Sequence, residues 1–186
     1  NALMRRFLRE REQITRDIND LQDTRPALAQ SHPDWLYEQW QQRWGREKTF
    51  RLMEWNNQPA PTCARVNRLL TDPQRLAKRW EDEGVESSPI DCDWASTGDL
   101  FHLRKHPPLE SLVSFRDGLF YVQDPSTLLS ISLLDPKPGQ AVLDLCAAPG
   151  GKTCLIADRM KNEGQLSALD NSESRLKLLR ENCDRM

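Results

Sequence analysis

The residues best suited to hold a charged or polar ligand lie close together near the end of the chain. Cys146-Ala147-Ala148-Pro149-Gly150-Gly151-Lys152-Thr153 is a run of small side chains closed by a lysine and a threonine, and Asp170 stands 20 residues after Gly150. Small side chains let the backbone come close to a ligand, and the free N–H groups of a helix's first turn attract an anionic or strongly polar group. A carboxylate at that interval matches the acid that βαβ units set against two ribose hydroxyls. Three ligands compete for such a turn. A nucleoside triphosphate would use Gly151-Lys152-Thr153 as the end of a phosphate loop, but Cys146 occupies the slot of that loop's first glycine and Pro149 removes an N–H donor. A dinucleotide asks for G-x-G-x-x-G, which is missing here. S-adenosylmethionine asks for polar backbone at the first turn and a ribose-binding acid after the second strand, and both are present. On spacing alone a fourth reading stays open, in which the glycines and alanines serve only packing.

The elements that must position this turn can be read from the same segment. Ala141-Val142-Leu143-Asp144-Leu145 is a short apolar run of the kind found in strands buried on both faces. The spacing predicts a helix from Lys152 to Met160, a second strand over Gln165 to Leu169, and a helix over residues 172 to 186 that turns Leu176, Leu179 and Arg180 to its pattern. Upstream, Leu3, Phe7, Ile14, Ile18 and Leu21 recur at helical intervals among Arg5, Arg6, Arg9, Arg11 and Arg16. Ser31-His32-Pro33 signals the start of a second helix, Gly45 its end, and residues 46 to 55 a continuation. Residues 64 to 70 resemble a strand, Asp72-Pro73 opens a helix that Gly84 closes, and residues 85 to 123 alternate strand-like runs with turns. Residues 126 to 134 read as a helix before the rigid turn Asp135-Pro136-Lys137-Pro138-Gly139.

Composition bounds the rest. The 186 residues are 38% hydrophobic and 29% charged, with a mean hydropathy of -0.72, so wholesale disorder is not expected. With 26 Lys plus Arg against 28 Asp plus Glu, any nucleic-acid surface must be local. There is neither a bilayer-length apolar run nor a signal-peptide core, so a cytoplasmic setting is expected. Five widely spaced cysteines without a C-x-x-C pair read as reduced thiols, and no metal site is expected. The six tryptophans, Trp35, Trp40, Trp44, Trp55, Trp80 and Trp94, read as core.

The octet Cys146 to Thr153, preceded by Val142-Leu143-Asp144-Leu145, resembles the cofactor signature of the RNA 5-methylcytosine methyltransferases, the RsmB/Sun/Fmu and NOL/NSUN superfamily. Asn1-Ala2-Leu3-Met4-Arg5-Arg6-Phe7-Leu8 is similar to the last helix of the NusB-like domain of that family's bacterial 16S rRNA enzymes. Ser31-His32-Pro33, Asn56-Asn57, Arg65-Val66-Asn67 and Val122-Gln123-Asp124 look like its linker and N-terminal catalytic subdomain.

The resemblance implies an α/β fold, the start of a Rossmann-like methyltransferase sheet preceded by a helical linker and a small α+β RNA-binding subdomain. Its expected divisions are residues 1–22 (end of a NusB-like domain), 23–112 (linker and α+β subdomain) and 113–186 (first part of the methyltransferase domain). Cys146, Ala147, Ala148, Pro149, Gly150, Gly151 and Lys152 would wrap S-adenosyl-L-methionine while Asp170 holds its ribose. Asp144 would orient the loop or touch the cofactor, and Lys152 would steer the cofactor's carboxylate or simply suit a helix surface. The implied partner is RNA, ribosomal RNA first and transfer RNA as the alternative, read by a monomer. A non-catalytic RNA-binding module with a vestigial cofactor fold is the rival of another class. Arg5, Arg6, Arg9, Arg11 and Arg16, with Arg65 and Arg68, are candidate phosphate contacts. In the family a thiolate adds to carbon 6 of cytosine so that carbon 5 can take the methyl group, and a base then removes the carbon-5 proton. Cys146 is a loop residue in that scheme. The family's nucleophilic cysteine lies on later strands, so the chain is expected to be a fragment, inactive alone, with Cys183 structural.

Overall fold

A computed structural model describes residues 2–96 and 98–186, so Asn1, where the expected first helix begins, lies outside the described residues. The chain divides at residue 60 into two units. The first holds α1 (Ala2–Thr24), the short α2 (Pro26–Ala29) and α3 (Asp34–Asn56). In α1 no side chain is buried, and Leu3 is 82% and Leu8 66% exposed. Arg6 and Arg16 pair with Glu10 and Glu12 one helical turn away. Ser31 does not cap α3, because its φ of 56° places it in the left-handed region after α2 and Pro33 takes the cap position. Gly45, at φ 79° and ψ 166°, kinks the helix where the sequence expects an end. The tryptophans separate. Trp80 is fully buried, whereas Trp35, Trp44 and Trp55 are exposed, which corrects their assignment to the core.

The second unit begins with a four-stranded antiparallel sheet in the order β2-β3-β1-β4, formed by β1 (Thr62–Val66), β2 (Glu86–Pro89), β3 (Leu100–Lys105) and β4 (Phe120–Val122). Helix α4 (Pro73–Asp82) covers one face and starts at Asp72, whose Oδ1 accepts the Arg75 N–H at 2.9 Å. Leu76 and Trp80 from this helix meet Ala64, Val66, Phe101, Leu103 and Phe120 in the core, with Trp80 edge-on to Phe101 and Phe120 at 5.2 Å. The strand expected over 64–70 stops at Val66, because the Asn67 side chain accepts the Leu69 N–H at 3.1 Å and turns the chain. Short α5 (Val113–Arg116) is held by Glu83, whose carboxylate accepts the N–H and O–H of Ser114.

Helix α6 (Leu128–Leu134) then leads to β5 (Ala141–Asp144), α7 (Gly151–Arg159), β6 (Gln165–Ala168) and α8 (Glu173–Arg185). Strands β5 and β6 pair in parallel, with Asp144 opposite Ala168. Val142 and Leu166 pack on Leu128, Ile131, Leu155, Ile156 and Met160, while Ala168 packs on Leu179. Burial of side chains such as Leu155 and Ile156 stabilises the arrangement by about 1.5–3 kcal/mol each. Strand β5 is not buried on both faces. Leu143 is 56% and Leu145 65% exposed on the side away from α7, because helices cover only one face of this two-stranded sheet. Among the described residues no helix is long and apolar enough to cross a membrane.

Candidate cofactor site

The turn between β5 and α7 is pinned by carboxylates at both strand ends. At the end of β5, Asp144 accepts the Cys146 N–H through Oδ1 at 3.3 Å and the Thr153 hydroxyl through Oδ2 at 2.8 Å, tying the loop to the first turn of the helix. Just beyond β6, Asp170 accepts the Ala148 N–H through Oδ2 and the Ser172 N–H through Oδ1, both at 3.1 Å. Its side chain is only 3% exposed, with Arg175 3.7 Å away. The loop backbone continues the sheet pairing, since the Ala147 N–H donates to Leu169 O at 2.9 Å. Gly150 caps α7 at φ 112°, with Leu179 3.1 Å from where a Cβ would sit, so a side chain there is disfavoured by conformation and by space.

Helix α8 clamps the loop's carbonyls. Arg175 donates to Ala148 O at 2.6 Å and Asn182 donates to Pro149 O at 2.9 Å, while Leu179 between them packs on Ala147 and Ala148. Sequence reasoning missed Arg175, Asn182 and Thr153. Arg175, Leu179 and Asn182 recur at four- and three-residue spacing along one helical stripe, and that periodicity was the available signal.

The predicted residues gather here with different exposures. Ala147, Ala148 and Gly150 are buried, whereas Cys146, Pro149 and Lys152 are exposed. A cavity of about 220 Å³ is lined by Cys146, Ala147, Ala148, Pro149, Gly151 and Lys152, with Tyr121 and Gln123 from the antiparallel sheet opposite. Asp170 lines a hollow of about 390 Å³ between β6 and α8 and is tied to the loop by the Ala148 hydrogen bond. Among the described residues the N–H groups of Gly151, Lys152 and Thr153 donate to no protein acceptor. A polar or anionic group is what such a turn leaves room for.

Arg65 is placed differently from its expected role. It is 1% exposed and paired with Asp158 at 3.4 Å, so it is no phosphate contact on the surface; Arg68 is half exposed and pairs with Asp99 at 3.6 Å.

All five cysteines are free. Cys154 is buried in α7, and its thiol hydrogen bond to Cys183 pushes the Cys154 pKa up and lowers that of Cys183 to about 7. Donation to the Cys183 thiolate favours its charged form. Iodoacetamide is therefore expected to label Cys183 with a rate that climbs through pH about 7. In Cys154→Ala that midpoint should rise to at least about 8.5, the ordinary thiol value, because burial and the neighbouring Asp184 both push the Cys183 thiol up. Identical profiles for the two proteins would contradict the pairing.

The sequence model of the family described as 16S rRNA methyltransferase RsmB/F matches residues 131–186, and that of the RsmF/B-like ferredoxin-like domain matches residues 32–97. The chain belongs to the RsmB/F methyltransferase family. The chain is 35% identical over 162 residues to the probable ribosomal RNA small subunit methyltransferase B of Bacillus subtilis, covering 87% of the chain and 35% of the relative. It is 34% identical over 187 residues to the ribosomal RNA small subunit methyltransferase B of Serratia proteamaculans, covering 100% and 41%. This RsmB/F chain thus spans about two fifths of the length of the curated relatives it matches. Among solved structures, a methyltransferase homolog protein from Pyrococcus horikoshii is similar at a TM-score of 0.75 and 36% identity, over 86% of this chain and 51% of that one. NSun6 from Pyrococcus horikoshii, solved with SFG, shares the fold at a TM-score of 0.73 and 19% identity, over 82% and 62%. The mixed α/β architecture of the RsmB/F chain is therefore that of methyltransferases of this kind, with the ferredoxin-like sheet ahead of the parallel strands.

Proposed function

We propose that the complete polypeptide carrying this chain methylates carbon 5 of cytosine in small-subunit ribosomal RNA, with S-adenosylmethionine as donor. The observation that carries the cofactor reading is the set of unengaged Gly151, Lys152 and Thr153 N–H groups beside a loop pinned by Asp144 and Asp170. The donor supplies an electrophilic methyl group on a sulfonium. The three N–H groups at the start of α7 receive its carboxylate, the side of the loop from Cys146 to Gly151 leaves room for its methionine and adenosine, and Lys152 stands at the rim. Asp170 spends one lone pair of each oxygen on a backbone N–H and keeps the others for the ribose hydroxyls. Asp144 acts behind the loop, orienting it through Cys146 and Thr153. Within the chain we assign residues 1–22 to the end of a NusB-like domain, 23–112 to the linker and α+β subdomain, and 113–186 to the methyltransferase part, whose first strand β4 completes the antiparallel sheet by pairing with β1. The relatives' names favour ribosomal over transfer RNA.

Incubating the complete polypeptide with methyl-labelled donor and separate pools of RNA tests the proposal. Label on cytosine carbon 5 of small-subunit ribosomal RNA is expected; label only in transfer RNA, or none, would overturn it. Thr153→Val keeps the shape of the side chain but removes the donor to Asp144, leaving a carboxylate oxygen without its partner. Donor affinity is expected to fall about tenfold in calorimetry, the scale of a hydrogen bond to a charged group. Unchanged affinity would separate Asp144 from loop placement.

A further inference from the structure

A buried arginine links the antiparallel sheet to both ends of α7, and packing alone does not call for it. Arg65 lies on β1 between Ala64 and Val66, which face the Trp80 core, and its own side chain points the other way, toward α7. The guanidinium is 1% exposed. Its Nε donates to Gln123 Oε1 at 3.0 Å and its Nη1 to Asp158 Oδ2 at 3.4 Å, while Nη2 has no partner among the described residues. A buried ion pair carries a desolvation cost that apolar side chains of similar size would avoid, so its placement specifies geometry more than it adds stability.

The geometry it specifies runs to the loop. Gln123 is 8% exposed, and its N–H donates to Cys63 O at 2.9 Å, which holds its backbone against β1. Its side-chain amide abuts the first residue of α7. A Cβ on Gly151 would lie 3.3 Å from Gln123 Nε2 and 3.0 Å from Tyr121 Cε1, so the sheet touches the loop with no spare room. At the far end of the same helix Asp158 is held by Arg65 and by the Arg68 N–H at 3.3 Å. The sheet thus grips α7 at Gly151 and at Asp158, and Arg65 joins the two grips through its bonds to Gln123 and Asp158.

We propose that Arg65 and Gln123 are positioning residues for methyl-donor binding, a relay by which the ferredoxin-like sheet fixes the height of the Gly150-Gly151 turn and so the direction of the free N–H groups. The inference rests on reading Cys146 to Lys152 as the donor loop. It assigns to the antiparallel sheet a part in donor affinity that is separate from any contact with RNA.

The test uses the complete polypeptide with S-adenosylmethionine and its RNA substrate, and measures KM for each, kcat at saturation and the melting temperature. Gln123→Met fills the same space without accepting from Arg65, and KM for the donor is expected to rise about tenfold while KM for RNA stays within about twofold. Gln123→Glu keeps an acceptor for Arg65 and is expected to return donor KM to near the wild-type value. Because Arg65→Met alone would strand the Asp158 charge and risk the fold, the double variant Arg65→Met/Asp158→Asn removes both charges. It is expected to melt near the wild type yet show the same rise in donor KM, which a merely structural role would not produce. Donor KM within twofold of wild type in the folded Gln123→Met or double variant would overturn the relay, as would Gln123→Glu behaving like Gln123→Met. A wild-type protein that takes up no donor would instead overturn the donor-loop reading itself, a result visible before any variant is made.

Discussion

Asp170→Ala is expected to lower the affinity of the complete polypeptide for S-adenosylmethionine by at least about a hundredfold, because one carboxylate serves two purposes. It accepts the Ala148 and Ser172 N–H groups, which fixes the loop against β6, and under the proposed function its remaining lone pairs take the ribose hydroxyls. Hydrogen bonds to a charged group are worth about 1.5–3 kcal/mol each, so losing two or more amounts to two decades or beyond. Alanine also leaves the partly buried Ala148 and Ser172 N–H donors without an acceptor and Arg175 without its neighbouring charge. Asp170→Asn keeps one oxygen for the loop and should lose only about tenfold. Calorimetry on the three proteins decides the matter. An alanine variant that binds within about threefold of wild type would show that Asp170 only braces the loop, or does less.

The second large effect concerns stability. Trp80→Ala is expected to destabilise the ferredoxin-like sheet by about 3–5 kcal/mol, since it empties a fully buried site where the indole meets the edges of two phenylalanines. Trp80→Phe should cost clearly less. The indole Nε1 has no partner among the described residues, so phenylalanine removes a buried orphan donor while keeping most of the ring volume. Hydrogen exchange of β1 and β3 amides in the complete polypeptide reads this locally, as lost protection. Equal protection in wild type and Trp80→Ala, or equal loss in both variants, would contradict this packing account.

What could be read in the sequence follows from the range of the interactions involved. The strand, turn and helix over residues 141–159 were legible because they rest on local features: an apolar run, small residues at the turn, and helical spacing after Lys152. Asp72 announced α4 for the same reason, since its cap bond reaches only to Arg75. β2 was not legible, because Glu-Ser-Ser-Pro has no apolar alternation and becomes a strand only by pairing with β3. The exposed Trp35, Trp44 and Trp55 belong to a second group, where residue type suggests burial and the surroundings decide otherwise. Within the site, the residue types at 146–153 and at 170 were visible, and the partners that hold them were not. Asp158 lies 93 residues from Arg65, and Asn182 lies 33 from Pro149, so those contacts exist only once the strands have ordered the chain. Arg65 shows the limit most clearly, because charge and spacing suggest a surface phosphate contact and the fold buries it against Asp158.

Whether the turn after β5 is shaped for a sulfonium nucleoside can be asked directly by titrating the complete polypeptide with S-adenosylmethionine, ATP and NAD in turn in a calorimeter. The account predicts saturable uptake of S-adenosylmethionine at one site per chain, displaced by its demethylated product, with no saturable heat from the other two. Saturable binding of ATP or NAD with none of the methyl donor would contradict it.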